Sequence, residues 1–295
     1  MGQLEKPECT SLKGRRMEQQ ALLADARQRK NGMGFSFQSF CSGSSGNCLL
    51  LQTEDTNILI DAGFSSMRSC REVLNSLPAK ADGVLFSHLH NDHVHHYSLR
   101  VLEEDNIPVY VYGGEVRLLS RIHFRKRPFF GLKVRSFSLQ PFQIGSLFIQ
   151  PFRLLHDGVR ATFGFDIRTT QGARQRKAVI ATDFWDWKNL ETRFADADFI
   201  FVEANHDPAL LRQHPNPRSH YHLSNGNCGG LLRKALDASK IFPRVIMLGH
   251  LSAIRNRAAI ADGTVRKMLS GAGYGKIEIQ TAPRFERSPF IQVPD

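Results

Sequence analysis

From Phe35 onward, short apolar runs separated by polar turns predict a series of strands: "NILIDAG", "GVLFSH", "VYVYGG", "SLFIQPF", "ATFGFDI", "AVIATDF", "DFIFVEAN", "RVIMLGH" and "KIEIQTA". Each run is of strand length, and most are rich in Val, Ile or Phe. Between them, "SMRSCREVLNSL", "EVRLLSRI", "NGNCGGLLRKALDAS" and "NRAAIADGTVRKML" read as helices. Many strands with interspersed helices predict stacked sheets flanked by helices in one α/β domain. Residues 1–33 break the pattern: "KGRRMEQQALLADARQRK" is charged and offers few apolar positions to dock. A mobile basic extension is expected there, with the folded domain spanning 34–295.

Composition narrows the class. The chain has 295 residues, 41% of them hydrophobic, enough for a substantial core. No apolar run approaches a membrane span and the N-terminus lacks the apolar core of a secretory signal, so a soluble cytoplasmic protein with no membrane partner is expected. Five cysteines (Cys9, Cys41, Cys48, Cys70 and Cys228) are scattered without zinc-knuckle or disulfide-framework spacing and are expected to be reduced thiols. A net charge of +11 favours polyanionic partners.

The chemistry concentrates in "SHLHNDHVHH", residues 87–96, where five histidines and an aspartate follow the strand "GVLF". In an extended segment alternate residues share a face, so His88 and His90 can hold one ion, while the turn beyond them lets Asp92 and His93 reach a second. His156 after "PFRLL" is placed to complete the first half-site and His250 after "VIMLG" the second. Asp183 after "VIAT" can bridge the two through its carboxylate oxygens. Imidazole and carboxylate suit zinc, iron or manganese without selecting one. Two divalent ions would yield a bridging hydroxide near neutral pH, a hydrolytic nucleophile. His95 and His96 fall outside this spacing, as supports for the site or surface residues.

These residues resemble a known signature. "HLHNDH" is similar to the HxHxDH motif of the metallo-β-lactamase fold, and His156, Asp183 and His250 follow that superfamily's ligand order. The resemblance implies an αββα sandwich of two stacked sheets flanked by helices; two divalent ions per chain, zinc or manganese, are the expected cofactors. It also implies that Asp61, in "ILIDAG", supports the site. "FCSGSSGNCLLL", "LLHDGVRATFGFDI", "EANHD", "YHLSN" and "LGHLSAIRN" resemble the YycJ/WalJ (VicX) branch, whose members are regarded as DNA-directed exonucleases. Relatives often carry glycine soon after the signature; "VHHYSL" stands here, and a differently shaped loop is expected.

"EANHD" and "YHLSN" are also similar to elements of transfer-RNA-processing relatives, by which Glu203 orients His222 and His222 acts as general acid. Glu203, His222 and Asp92 are therefore the candidate catalytic residues. Ser252, Arg255 and Asn256 are placed either to contact phosphate or to cap a helix. "GSSGN" offers backbone N–H groups to a phosphate or forms a hairpin turn. "NHD" is either functional or a turn through His206 and Asp207. Arg125, Lys126 and Arg127, interleaved with Phe124, Phe129 and Phe130, suit a nucleic-acid backbone or a charged strand edge; Arg174, Arg176 and Lys177 suit a polyanion or a solvated face.

The function expected is a phosphodiesterase with two metals, acting on nucleic acid and on DNA first, as a 5′-to-3′ exonuclease by resemblance. Three alternatives remain: an RNA-processing nuclease, a small-molecule ester or cyclic phosphodiester hydrolase of the same fold, and a non-enzymatic nucleic-acid-binding module.

Overall fold

A computed structural model describes residues 33–123, 130–158, 160–171 and 174–294. The extension expected before residue 33 lies outside the described residues, as do Arg125, Lys126 and Arg127. Strands β1 (Met33–Cys41), β2 (Cys48–Gln52), β3 (Asn57–Ile60), β4 (Gly83–Leu85), β5 (Val109–Tyr112) and β6 (Val134–Phe137) build the first sheet. The second holds β7 (Phe142–Ile144), β8 (Leu147–Leu154), β9 (Thr162–Thr169), β10 (Lys177–Ala181), β11 (Phe199–Glu203), β12 (Val245–Gly249) and β13 (Glu278–Thr281). The chain then returns as β14 (Ile291–Pro294), giving the orders β14-β1-β2-β3-β4-β5-β6 and β13-β12-β11-β10-β9-β8-β7.

The helices are α1 (Met67–Leu74), α2 (His96–Glu104), α3 (Val116–His123), α4 (Glu191–Phe194), α5 (Pro208–Gln213), α6 (Asn225–Asp237) and α7 (Ala258–Gly271). The nine apolar runs in the sequence correspond to β3, β4, β5 and β8 through β13. The four helical patterns correspond to α1, α3, α6 and α7. Helix α2 carries no separate signal, because its start continues the histidine run.

Strand burial explains why the runs are nearly continuous. One face of each sheet packs on the other sheet through Phe37, Leu51, Ile60, Phe163, Phe165, Phe199 and Phe201. The outer face of the second sheet, including Val179, Ile200 and Ile246, meets Leu231, Leu232, Val265 and Leu269 of α6 and α7. The outer face of the first, including Leu59, Val84 and Val109, meets Val73, Leu99 and Leu102 of α1 and α2. Strands buried on both sides lose the polar alternation of a one-sided sheet. The result is the αββα sandwich.

Parallel pairing sets the position of the site. Strands β3 to β6 run parallel in one sheet and β10 to β13 in the other. Neighbouring parallel strands end at a common edge, so the residues just after β10, β11 and β12 are brought side by side. Open-sheet ligand sites form at such carboxyl ends.

Candidate metal centre and its supports

Asp61 and His250 follow β3 and β12 directly and Asp183 stands two residues past the end of β10; all three have left-handed backbones, with φ of 63°, 50° and 61° in that order. Side chains other than glycine adopt this region at a cost of about 1–3 kcal/mol. Each is held by neighbours: Asp61 N donates to Leu85 O, Asp183 N to Glu203 Oε2 and His250 N to Ser42 Oγ. The abrupt turn after a rigid strand sends each side chain inward.

The ligand atoms of His88, His90 and His156 lie within 4.8 Å of one another, and so do those of Asp92, His93 and His250. The structure therefore brings each sequence triplet together, and the two clusters adjoin where the ligand atoms of His88, His93 and Asp183 also lie within 4.8 Å of one another. Asp183 lies between them, with Oδ2 3.1 Å from His93 Nε2 and Oδ1 3.6 Å from His250 Nε2 and 3.9 Å from His156 Nε2. Asp92 Oδ2 is 3.7 Å from His93 Nε2 and 3.6 Å from His250 Nε2.

One nitrogen of each histidine is held from outside the clusters. His93 Nδ1 is 2.6 Å from Asp61 Oδ2, and His90 Nε2 is 2.9 Å from Asp157 Oδ2. His156 Nδ1 is 3.1 Å from Tyr221 O, and His250 Nδ1 is 2.9 Å from Glu203 Oε2. Ser87 Oγ donates to Asp61 and therefore accepts from His88 Nδ1, 3.1 Å away. These contacts assign the outer nitrogen as the proton carrier and turn the other ring nitrogen toward the cluster, as metal-ligating histidines require.

Two buried atoms, Asp183 Oδ2 and His250 Nε2, have no hydrogen-bond partner. Buried polar atoms are rarely left so, and both point among candidate ligands. The donor set and these orphaned atoms fit divalent cations.

The two clusters differ electrostatically. Burial and surrounding imidazoles push His88 and His90 below the ordinary histidine range, so both are neutral donors. Burial opposes charge on His250 too, but Asp183, Asp92 and Glu203 outweigh it and raise the group to about 10. His93 is raised in the same way by Asp183, Asp61 and Asp92. His93 and His250 thus favour their protonated forms near neutrality. Metal uptake is expected to release at least one proton per chain and to weaken as pH falls. Calorimetric titration of zinc in buffers of different ionisation enthalpy reads this release; heats independent of the buffer would contradict it.

Glu203 does more than orient His222. Fully buried, it accepts from His222 Nδ1 at 2.8 Å and His250 Nδ1 at 2.9 Å through Oε2, and from Leu223 N at 2.8 Å through Oε1. Burial works against its charge, yet His222 and His250 hold its pKa at about 2, so it remains an acceptor. His222 is opposed by burial but raised by Glu203 and Asp183, with its side chain 17% exposed. It is the more exposed of the two histidines that Glu203 holds.

Gly63 fixes the turn carrying Asp92. A Cβ there would sit 1.8 Å from Asp92 O and 2.2 Å from Asp92 C, a clash with backbone that side-chain repacking does not relieve. Gly63→Ala is expected to cost about 1–3 kcal/mol and to remove most of the melting-temperature gain on adding zinc. Thermal melts with and without metal check both effects.

Several alternatives left open by the sequence fall on the structural side. Asn256 is buried and donates to Ala204 O at 2.7 Å and Asn225 Oδ1 at 2.8 Å, which spends its amide on the fold rather than on phosphate. Arg255 donates to the His214 and Pro215 carbonyls, and Ser252 Oγ accepts from Arg255 N at 3.2 Å, as in a turn. Arg174 and Arg176 pair with Asp198, and Lys177 Nζ lies 3.5 Å from Asp166 Oδ2. That run opens β10, at the end of the strand away from Asp183, so its charge braces the sheet. Asp207 caps α5 by accepting from Ala209 N and Leu210 N at 2.9 Å, so "NHD" builds a turn. His95 caps α2 by accepting from Tyr97 N at 3.3 Å. "GSSGN" forms the β1–β2 turn, with Gly46 N donating to Gly43 O at 2.9 Å.

Ser87, Asp157 and Asn47 received no role from sequence. Asp157 follows His156 directly in "LLHDG", which was its only signal. Asn47 Nδ2 lies 3.1 Å from His93 Nε2 and 3.2 Å from Asp92 O, latching the glycine-rich turn to the cluster. Cys41, Cys48, Cys70 and Cys228 are free thiols whose pKa values burial raises, and none joins the centre.

This geometry defines a protein of the metallo-β-lactamase fold with His/Asp groups able to bind metal. The Beta-lactamase superfamily domain matches residues 56–250, and the chain belongs to that superfamily and is a hydrolase. It is 26% identical over 263 residues to exodeoxyribonuclease WalJ of Streptococcus pneumoniae, covering 82% of this chain and 91% of WalJ. It is 23% identical over 256 residues to exodeoxyribonuclease YycJ of Bacillus anthracis, covering 82% and 92%. The crystal structure of the metallo-β-lactamase fold protein YhfI from Bacillus subtilis shares the fold, with a TM-score of 0.65, 17% identity, and coverage of 88% of this chain and all of that one. No helix among the described residues is long and apolar enough to cross a membrane.

Proposed function

We propose that this chain is a metal-dependent phosphodiesterase acting on DNA, releasing nucleotides from a strand end, with the 5′-to-3′ polarity that the resemblance of its motifs implies. The observation that carries the reading is the Glu203–His222 pair beside two ligand clusters bridged by Asp183. His88, His90 and His156 would hold one ion, Asp92, His93 and His250 a second, with Asp183 touching both. Such ions, when bound, supply charge neutralisation on a phosphoryl oxygen and an activated water.

The chain's own groups supply what remains. A phosphodiester leaving as an alkoxide needs a proton, and His222 can give one because its Nδ1–H is held by Glu203, which leaves Nε2, without a hydrogen-bond partner among the described residues, as the donor. Glu203 keeps that ring oriented and favours the imidazolium. Asp61, Asp157 and the Tyr221 carbonyl keep three further rings fixed, so little reorganisation is needed when substrate arrives. Arg125, Lys126 and Arg127 are the basic residues that the sequence offers to add affinity for the strand.

The test incubates metal-loaded protein with DNA labelled at either end, with labelled RNA and with bis(p-nitrophenyl) phosphate. Mononucleotides released progressively from the 5′ end of DNA are expected. Turnover of the small ester alone would replace this reading with a small-molecule hydrolase, and preferred cleavage of RNA would replace the DNA assignment.

A further inference from the structure

Strand β13 lies parallel beside β12, so the segment after it emerges at the same edge as Asp183, Glu203 and His250. That segment reads Ala282-Pro283-Arg284-Phe285-Glu286-Arg287 and had no part in the site so far. Arg284 Nη2 donates to the carbonyl of Leu251, the residue after His250. Its Nη1 is buried and has no hydrogen-bond partner. Among the described residues no carboxylate lies within ion-pair distance of Arg284 or Arg287. Burial lowers the Arg284 pKa, and nothing opposes that shift. A half-buried guanidinium with one covered, unpartnered nitrogen and no counter-ion is costly, and an anion would relieve it.

The surroundings form a built cavity of ≈ 380 Å³, a volume within the range of small-ligand sites. Its walls include Phe40, Ser45, Gly46, Arg284, Phe285 and Arg287. Gly43 admits the arginine: a Cβ there would stand 2.7 Å from Arg284 Nη1. Phe285 is 75% exposed, with the Arg284 guanidinium 5.9 Å from its ring centre, and the Arg287 guanidinium sits 5.1 Å over the ring of Phe40. Glu72 also lines the cavity, but its carboxylate is engaged by Arg68 at 2.8 Å. The turn forming one wall is the one Asn47 latches to Asp92 and His93.

An exposed aromatic ring beside two arginines lacking carboxylate partners is the chemistry of single-strand binding, in which bases stack and phosphates pair. We infer that the cavity between the β1–β2 turn and the Arg284–Arg287 segment is a nucleotide-binding subsite, stacking one base of a single-stranded DNA end on Phe285 and holding its phosphate at Arg284 and Arg287. The inference rests on the phosphodiesterase reading and deepens it: the subsite positions a nucleotide next to the bond being cut.

The test measures KM for a single-stranded DNA 10-mer with the metal-loaded enzyme, and Kd for the same sequence with phosphorothioate linkages over a range of salt. Phe285→Ala is expected to raise both by about 5- to 150-fold, the range of one lost stacking contact, and Phe285→Trp to restore them. Arg287→Ala is expected to flatten the salt slope of log Kd by about 0.7, the signature of one lost phosphate contact on a single strand. Phe242→Ala, an exposed aromatic preceding β12 at the opposite end of the sheet, serves as control. Melting temperature and metal content verify the fold, and Phe285→Leu replaces the alanine variant if that one fails to fold. Wild-type cleavage of DNA with KM and salt slope unchanged in the variants would overturn the subsite and leave the nuclease reading intact. Wild type that neither cuts nor binds DNA would overturn the nuclease reading and this subsite with it.

Discussion

Asp183→Asn is expected to lower turnover of every substrate by about 10³-fold or more, the scale of losing several kcal/mol of metal-derived stabilisation. The change keeps the side chain's shape and removes its charge. That charge helps raise both His93 and His250, and its oxygens are the atoms that reach both clusters. The variant should bind metal less tightly and hold less of it, with the second cluster most affected. Steady-state kinetics and elemental analysis on the same preparation check the two effects together. Wild-type turnover in Asp183→Asn would show that the bridging carboxylate is dispensable.

The second large effect separates the proton donor from the metal centre. His222→Ala is expected to reduce kcat on DNA by about 10²- to 10⁴-fold, the usual contribution of a general acid. The loss on bis(p-nitrophenyl) phosphate should be far smaller, because nitrophenolate departs without a proton. Glu203→Gln should share that dependence on the leaving group in weaker form and also perturb metal binding, since Glu203 holds His250 as well as His222. Equal losses on both substrates for His222→Ala would assign the residue to structure or binding instead.

Much of this arrangement was legible in the sequence because two-sided burial and ligand spacing leave linear traces. Strands such as β11 and β12 read as unbroken apolar runs since helices cover one face and the opposite sheet the other. His88, His90, Asp92 and His93 lie within six positions, and His156, Asp183 and His250 each stand at the end of a recognisable strand. The supports left weaker traces. Ser87 and Asp157 matter through which ring nitrogen they hold, a fact of three dimensions, and Glu203 joins histidines 19 and 47 residues away. Helix α2 escaped because its cap is His95, a residue type outside the usual capping set. Asn256 and Arg174 show the opposite error: polar residues near a motif suggested ligand contact, but the fold had already claimed their hydrogen bonds. Arg284 gave no signal in the sequence, because its contact with the carbonyl of Leu251 comes from the parallel pairing of β12 and β13.

The central claim is that seven side chains from distant parts of the chain cage two cations. Its most direct test is a crystal structure of protein saturated with zinc or manganese, with the metals located by anomalous scattering. The account expects one ion among His88, His90 and His156 and another among Asp92, His93 and His250, both in contact with Asp183. Protein that remains metal-free after saturation, or an ion bound away from these residues, would contradict it.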